Sequence, residues 1–242
     1  MDGNTILDEI KSEIENIIEN DDKKQEKINL INDTIEKLEE ISKDENKDKQ
    51  KYPRFKINLS KDEINQLEEN KKITNSDEKY ILHPDIFNSS ENLTPLEKLL
   101  LGVIWKNGDY KKESHIIQGI FFEENKPTQL NCLNNRYVFW NFGRYLANKE
   151  NPIVDQHTFR AYKYLNNMDL KILLHQKNDA DNEQQTYYEL YFNWFAERRN
   201  SIVKSLNITE KTDIEDVAYW LDLFLFNLGK NIPQKKEKSE NT

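Results

Sequence analysis

RYVFWNFGRYLANKENPIVDQHTFRAYKYL, residues 136–165, is the stretch on which the reading of the fold turns. Phe139, Phe142 and Leu146 recur at three- and four-residue steps, the spacing of one helical face. Pro152 interrupts that pattern, because proline lacks a backbone donor and disfavours helix at the preceding residue. Two β-branched residues, Ile153 and Val154, then lead to Asp155, after which Phe159, Tyr162 and Leu165 resume the helical spacing. Asp155 therefore stands where an N-cap belongs, its carboxylate placed to accept from the first free N–H groups of a helix. Helix, break and capped helix predict a mainly α chain.

The rest of the sequence extends that pattern. Thr94-Pro95-Leu96-Glu97 joins a capping hydroxyl, proline at the first helical position and glutamate at the third, and predicts a helix through Leu99, Leu100, Val103 and Ile104 to Asn107-Gly108. A short helix is expected over Glu113–Phe122, and the first helix of the quoted stretch over about 138–148. Downstream, Met168–His175 reads as an apolar helix and Asn178–Gln185 as a polar loop. Tyr187–Leu206 reads as a long helix with Leu190, Tyr191, Trp194, Phe195, Ile202 and Leu206 inward. Thr212 and Glu215 have capping-box spacing before a last helix that carries Val217, Trp220, Leu221, Phe224, Leu225 and Leu228 and is expected to end at Gly229.

Toward the N-terminus, Ile6, Ile10, Ile14, Ile17 and Ile18, then Ile28, Ile31, Ile35, Leu38 and Ile41, form two narrow stripes on otherwise charged helices. Such stripes fit a helical hairpin that lies on the main domain or docks a partner. Lys43–Lys51 is polar and reads as a linker, Phe55–Leu59 alternates as a short strand would, and Ser60 with Glu63 can cap a helix over Lys61–Asn70. The expected architecture is an amphipathic helical arm (1–43), a polar linker (44–51), a compact multi-helix domain (52–229) and a disordered tail (230–242).

Composition narrows the function. Apolar residues make up 36% of the 242 and charged residues 33%, so much of the helical surface must face water. Cys132 is the only cysteine, which excludes an internal disulfide and any four-cysteine cluster. The N-terminus lacks a signal-peptide pattern, and no apolar run reaches the ~20 residues of a membrane span; the reading is a cytoplasmic chain without membrane contact. Net charge is −9, yet residues 98–175 hold 11 Lys/Arg against 7 Asp/Glu, the only positive third of the chain. Histidines 83, 115, 157 and 175 show no ligand spacing, and no Walker loop, dinucleotide fingerprint or nucleophile elbow is present, so neither metal nor cofactor is expected.

Chemistry then concentrates on Val154, Asp155, His157 and Arg160. The plainest reading of Asp155 is a helix cap stabilised by the helix dipole. The same placement holds an ionised acid fixed in space, which suits stabilising a developing cation or orienting a water. At these residues the chain resembles the helix-hairpin-helix DNA glycosylase superfamily, the endonuclease III-like enzymes, whose signature aspartate lies in a V-D-x-H-x-x-R pattern; TPLEKLLLGVIW is similar to that family's opening helix. The resemblance covers about residues 94–175 and implies a glycosylase-like fold of two helical lobes with Asp155 as catalytic acid. It also implies duplex DNA as partner. Asn134 and Asn135 stand where the family's hairpin glycines approach a phosphate, and Tyr137 stands where some members carry a Schiff-base lysine. Without that amine, the implied activity is monofunctional base removal by water, with no strand cleavage. Arg144, Arg160, Lys106, Lys111, Lys112 and His157 are then candidates for DNA contact, and Trp140, Phe142 and Tyr145 for the pocket of a rotated-out base. Helical spacing also fits the aromatics as core. The alternative is a non-catalytic interaction or scaffold subunit that engages a protein partner, or a second copy, through the isoleucine helices of residues 5–41.

Overall fold

The computed structural model describes residues 2–43, 59–69, 73–76, 79–82, 99, 110–125, 137–178 and 185–233. The chain is mainly helical. Its described elements are α1 (Gly3–Ile17), α2 (Lys24–Lys43), α3 (Lys61–Glu69), β1 (Ile73–Ser76), β2 (Lys79–Leu82), α4 (Tyr110–Asn125), α5 (Tyr137–Ala147), α6 (Gln156–Leu165), α7 (Tyr187–Ser205) and α8 (Lys211–Asn231). They fall into two compact units, Met1–Arg54 with Val154–Thr242, and Phe55–Ile153. This division cuts across the expected 52–229 domain and joins the N-terminal helices to the C-terminal ones. Among the described residues no helix is long and apolar enough to cross a membrane.

In the first unit the isoleucine stripes turn inward. Ile6, Leu7, Ile10, Ile14, Ile18, Ile31, Ile35 and Leu38 are all buried, so the hairpin is part of the core and not a free arm. At roughly 1.5–3 kcal/mol for each fully buried aliphatic side chain, eight such residues bind the hairpin far more firmly than any surface ion pair does. The stripe offered to a partner by the sequence is thus covered within its own unit. Polar ties fix its register. Lys27 is 1% exposed, and its amine donates to Asp21 Oδ2 at 2.6 Å, Asn167 Oδ1 at 2.8 Å and the Leu165 carbonyl at 3.3 Å. Asn167 donates in turn to Asp21 Oδ2 at 2.7 Å. The Lys27 hydrogen bond, with those from Lys23 N–H and Asn167, holds the Asp21 carboxyl at a pKa of about 2. On the other side, Arg198 and Ser201 of α7 meet the Glu13 carboxylate at 2.7 and 3.0 Å.

The two helix ends around α6 and α7 use asparagine where glycine is commonest. Asn167 and Asn207 have φ of 56° and 53°. Met168 N–H reaches the Lys163 carbonyl and Ile208 N–H the Val203 carbonyl, each closing a Schellman turn. That stop explains why Met168–His175 is not the predicted helix. Lys163 of α6, 6% exposed, donates to the carbonyls of Leu170 and Ile172, oxygens that a continuing helix would have used itself. Burial, then the Arg160 charge, lowers the Lys163 pKa. Leu170 and Leu173 are left 40% and 52% exposed. The loop after them is closed by hydrogen bonds from Asn178 N–H to the Gln185 carbonyl and from Tyr187 N–H to the Gln176 carbonyl.

The last helix departs from its expected ends. It starts at Lys211 with Glu210 as N-cap and no side-chain cap bond, so Thr212 lies inside the first turn and has no box to close. Its other end passes Gly229 and reaches Asn231, and Ile232 is buried, so the first residues of the expected tail are ordered. Gly229 serves closeness: a Cβ there would lie 1.9 Å from the His157 carbonyl oxygen.

The second unit shows the same device twice. A Cβ on Gly119 of α4 would lie 1.8 Å from the Trp140 carbonyl oxygen, and one on Gly143 of α5 would lie 1.8 Å from that of Ile116. The two helices therefore meet backbone to backbone. Ile64, Ile117, Ile120 and Phe121 form the adjoining core, with Leu59, Ile116, Leu146 and Ala147 at its margin. Ser60 and Glu63 close the predicted capping box of α3, the Ser60 N–H donating to Glu63 Oε2 at 2.8 Å. β1 and β2 pair antiparallel, Ile73 opposite Leu82 and Ser76 opposite Lys79, a ribbon that the sequence pattern did not announce. Of the predicted Thr94–Ile104 helix only Leu99 is described, and it is helical; of the Phe55–Leu59 strand only Leu59 is described. Cys132 lies outside the described residues.

Two outcomes are expected. Gly143→Ala should destabilise the second unit by about 1–3 kcal/mol or more, read as a lower urea midpoint, because the obstructing atom is backbone oxygen. Lowering pH from 4 to 2 should cost stability as the depressed Asp21 carboxyl protonates, since its stabilisation is complete above its unfolded pKa and is lost through its folded one. Asp21→Asn should flatten that part of the profile, and an equally steep profile would remove Asp21 as its source.

Candidate functional site

The segment Val154–Arg160 is built from the helix end upward. Val154 is fully buried and anchors the chain ahead of α6. Asp155 is extended (φ −138°, ψ −179°), the backbone of an N-cap, and its Oδ1 accepts from His157 N–H at 2.6 Å and Thr158 N–H at 2.8 Å. Thr158 Oγ1 returns the bond, accepting from Asp155 N–H at 3.0 Å, so a capping box closes with threonine in the place glutamate usually takes. Asp155 Oδ2 takes part in no hydrogen bond or ion pair among the described residues, and the side chain is half-buried. The carboxylate is thus held through one oxygen.

The remaining residues of the pattern pack α6 against α8. The His157 ring meets Phe226 edge-on, with centroids 5.2 Å apart. Arg160 donates from one terminal nitrogen to the Gly229 carbonyl at 3.1 Å, and the same nitrogen lies 3.4 Å from His157 Nδ1. Neither Arg144 nor Arg160 forms an ion pair with Asp155 among the described residues.

The candidates before Val154 belong to the second unit. Tyr137 opens α5 and is half-buried, and Trp140 and Tyr145 are core residues, 5% and 6% exposed, where pocket lining was expected. Phe142 is half-buried and stacks on Tyr145 at 6.2 Å. Trp140 packs on Phe122 at 4.8 Å. Arg144, expected on a phosphate, donates from Nε to Glu123 Oε2 at 2.8 Å, and its guanidinium lies over the rings of Phe122 and Trp140 at 5.1 and 5.2 Å. Glu123 also accepts from Asn148 at 3.3 Å. Lys112 holds its amine 4.8 Å from the centre of the Phe139 ring. Asn134, Asn135 and Lys106 lie outside the described residues, as does the side chain of Lys111.

Sequence reasoning missed Thr158 and Glu123. Asp155-x-x-Thr158 had box spacing, but the expected partner in that place is glutamate or glutamine. Glu123 is 21 residues from Arg144 and carried no local signal. Among the described residues no three metal-ligating side chains gather. No family model, curated protein or solved structure matches the chain.

Asp155→Ala should lower stability by about 0.5–2 kcal/mol through loss of the cap, and Asp155→Asn by clearly less, measured by thermal unfolding. Glu123→Ala should cost about 3–5 kcal/mol by removing the buried carboxylate that lies 2.7 Å from the Arg144 guanidinium. A loss under ~1 kcal/mol would mean that water solvates the guanidinium there.

Proposed function

We propose that the chain is a DNA-binding protein of the DNA-glycosylase type that removes a base by hydrolysis, with Asp155 as the acid at the reacting sugar. One observation carries the reading: a carboxylate fixed through Oδ1 by two backbone N–H groups at a helix N-terminus, with no hydrogen bond or ion pair to Oδ2 among the described residues. In such a reaction the bond between sugar C1′ and base nitrogen breaks and the base takes the bonding pair. Positive charge grows on the sugar, water adds at C1′, and the proton it gives up is balanced by protonation of the departing base. An ionised, pre-oriented carboxylate lowers that barrier because its position needs no rearrangement as charge develops. Tyr137 offers no amine for a covalent sugar adduct, so the product is an abasic site in an intact strand. Arg144 is paired with Glu123, so phosphate contact beside Asp155 is assigned to Arg160 and His157.

A second reading, a non-catalytic interaction subunit, is favoured by a different observation. Leu170 and Leu173 are exposed on a segment whose backbone is pinned by Lys163 and by the hydrogen bond from Leu173 N–H to Gln176 Oε1. The docking surface would then be this segment and not the covered isoleucine helices.

Wild type and Asp155→Asn should be compared for base release from a panel of damaged duplexes. Release by wild type, reduced at least ~100-fold in the variant, is expected if the carboxylate supplies the charge stabilisation. Equal or absent release in both sinks the catalytic reading. DNA affinity should fall between 50 and 200 mM salt. Pull-down that depends on Leu170 and Leu173, with no release, would favour the second reading.

A further inference from the structure

Two residues beyond the cap, the junction of α6 and α8 gathers basic side chains from both helices. His157 and Arg160 come from α6, and Lys230, from the last turn of α8, is exposed. The close approach at Gly229 brings them together, since the missing Cβ lets α8 lie directly on the His157 carbonyl. Phe226 spaces two of them: the His157 ring meets it edge-on at 5.2 Å, and the Lys230 amine lies 5.3 Å from its centre. One terminal nitrogen of Arg160 lies 3.4 Å from His157 Nδ1 and donates to the carbonyl of Gly229, the residue before Lys230. Among the described residues neither His157 nor Lys230 forms an ion pair with a carboxylate.

The same contacts decide which edge of the imidazole is offered. A guanidinium has no acceptor, so Arg160 can only donate, and Nδ1 is the accepting nitrogen. The neutral ring then carries its proton on Nε2, which lies 3.5 Å from the side-chain nitrogen of the exposed Gln156. An Nε2–H donor, an ammonium and a guanidinium charge around one point suit a phosphate, whose oxygens accept from several directions. We propose that His157, Arg160 and Lys230 form a phosphate site, which takes a backbone phosphate of the nucleotide held at Asp155. His157 N–H donates to Asp155 Oδ1 at 2.6 Å, so the site adjoins the acid, and a nucleotide carries its phosphates on the sugar where that acid acts. The DNA source of the phosphate rests on the glycosylase reading, whereas phosphate binding itself can be measured without DNA.

The full chain is titrated with sodium phosphate, against sodium chloride at matched ionic strength, while the His157 ring is followed by NMR. Phosphate should give a saturable shift of that ring which chloride does not, and the ring nitrogens should show the neutral proton on Nε2. No phosphate-specific shift, or a proton on Nδ1, overturns the proposal, and neither measurement needs a variant. Lys230→Gln, at an exposed position, should bind phosphate about two- to fivefold more weakly. Equal binding in that variant, or an equal loss in Lys204→Gln at an exposed position of α7, overturns the site as built. With duplex DNA, Lys230→Gln should lose about threefold less affinity than wild type between about 50 and 200 mM salt, as expected for one phosphate contact fewer. An unchanged salt slope overturns the assignment to the DNA backbone. A phosphate shift without DNA binding keeps the site and removes the DNA reading; base release that Asp155→Asn abolishes, with no phosphate shift, does the reverse.

Discussion

Direct backbone contact between helices is the constraint that organises both units. At Gly229 the last helix touches the carbonyl of His157, and at Gly119 and Gly143 two helices touch each other. Dispersion falls steeply with distance, so neighbouring side chains interlock only when the axes come this close. The approach leaves no room for a Cβ, and three of the four glycines among the described residues are spent on it. At Gly229 the contact also brings the Gly229 carbonyl within reach of Arg160 and the Phe226 ring against His157. Packing of α6 on α8 and the geometry at Asp155 are thus set by one close approach.

A tension follows for the V-D-x-H-x-x-R pattern. Val154 is core, Asp155 is a cap, His157 packs on Phe226 and Arg160 bonds a helix carbonyl. Each residue has a structural task, and those tasks alone account for the spacing. Among the described residues Oδ2 of Asp155 takes part in no hydrogen bond or ion pair. Structural fixation and chemical use are compatible here, because an acid held by its helix is what electrostatic stabilisation of a growing cation requires. Arg144 is the contrasting case. Its Glu123 partner and two flanking rings use its charge internally.

Polar groups do comparable work where the chain must change direction. Lys27 and Lys163 are long cations nearly removed from water: Lys27 donates to Asp21, Asn167 and the Leu165 carbonyl, and Lys163 to the carbonyls of Leu170 and Ile172. Such groups are costly to bury unless every donor is used, so they specify one arrangement more sharply than apolar contacts do. Lys27 fixes how the N-terminal hairpin meets that end, and Lys163 converts an apolar run into a fixed turn.

The sequence by itself determined the helices whose signals are local. Periodicity placed α1, α5 and α7 within about a residue or two, and the caps at Ser60 and Asp155 were legible because a box spans only three residues. The acid of the candidate site was legible for the same reason. Tertiary structure decided what local signals cannot carry. It turned the isoleucine stripes inward, because a stripe does not say which surface will cover it. It stopped the chain after Leu165, because the lysine that takes the later carbonyls reaches across a turn. It made Gly229 a contact and not a helix end, because glycine serves both purposes and only the opposing backbone distinguishes them. Arg144 found Glu123, a neighbour distant in sequence, and that neighbour set how its charge is used.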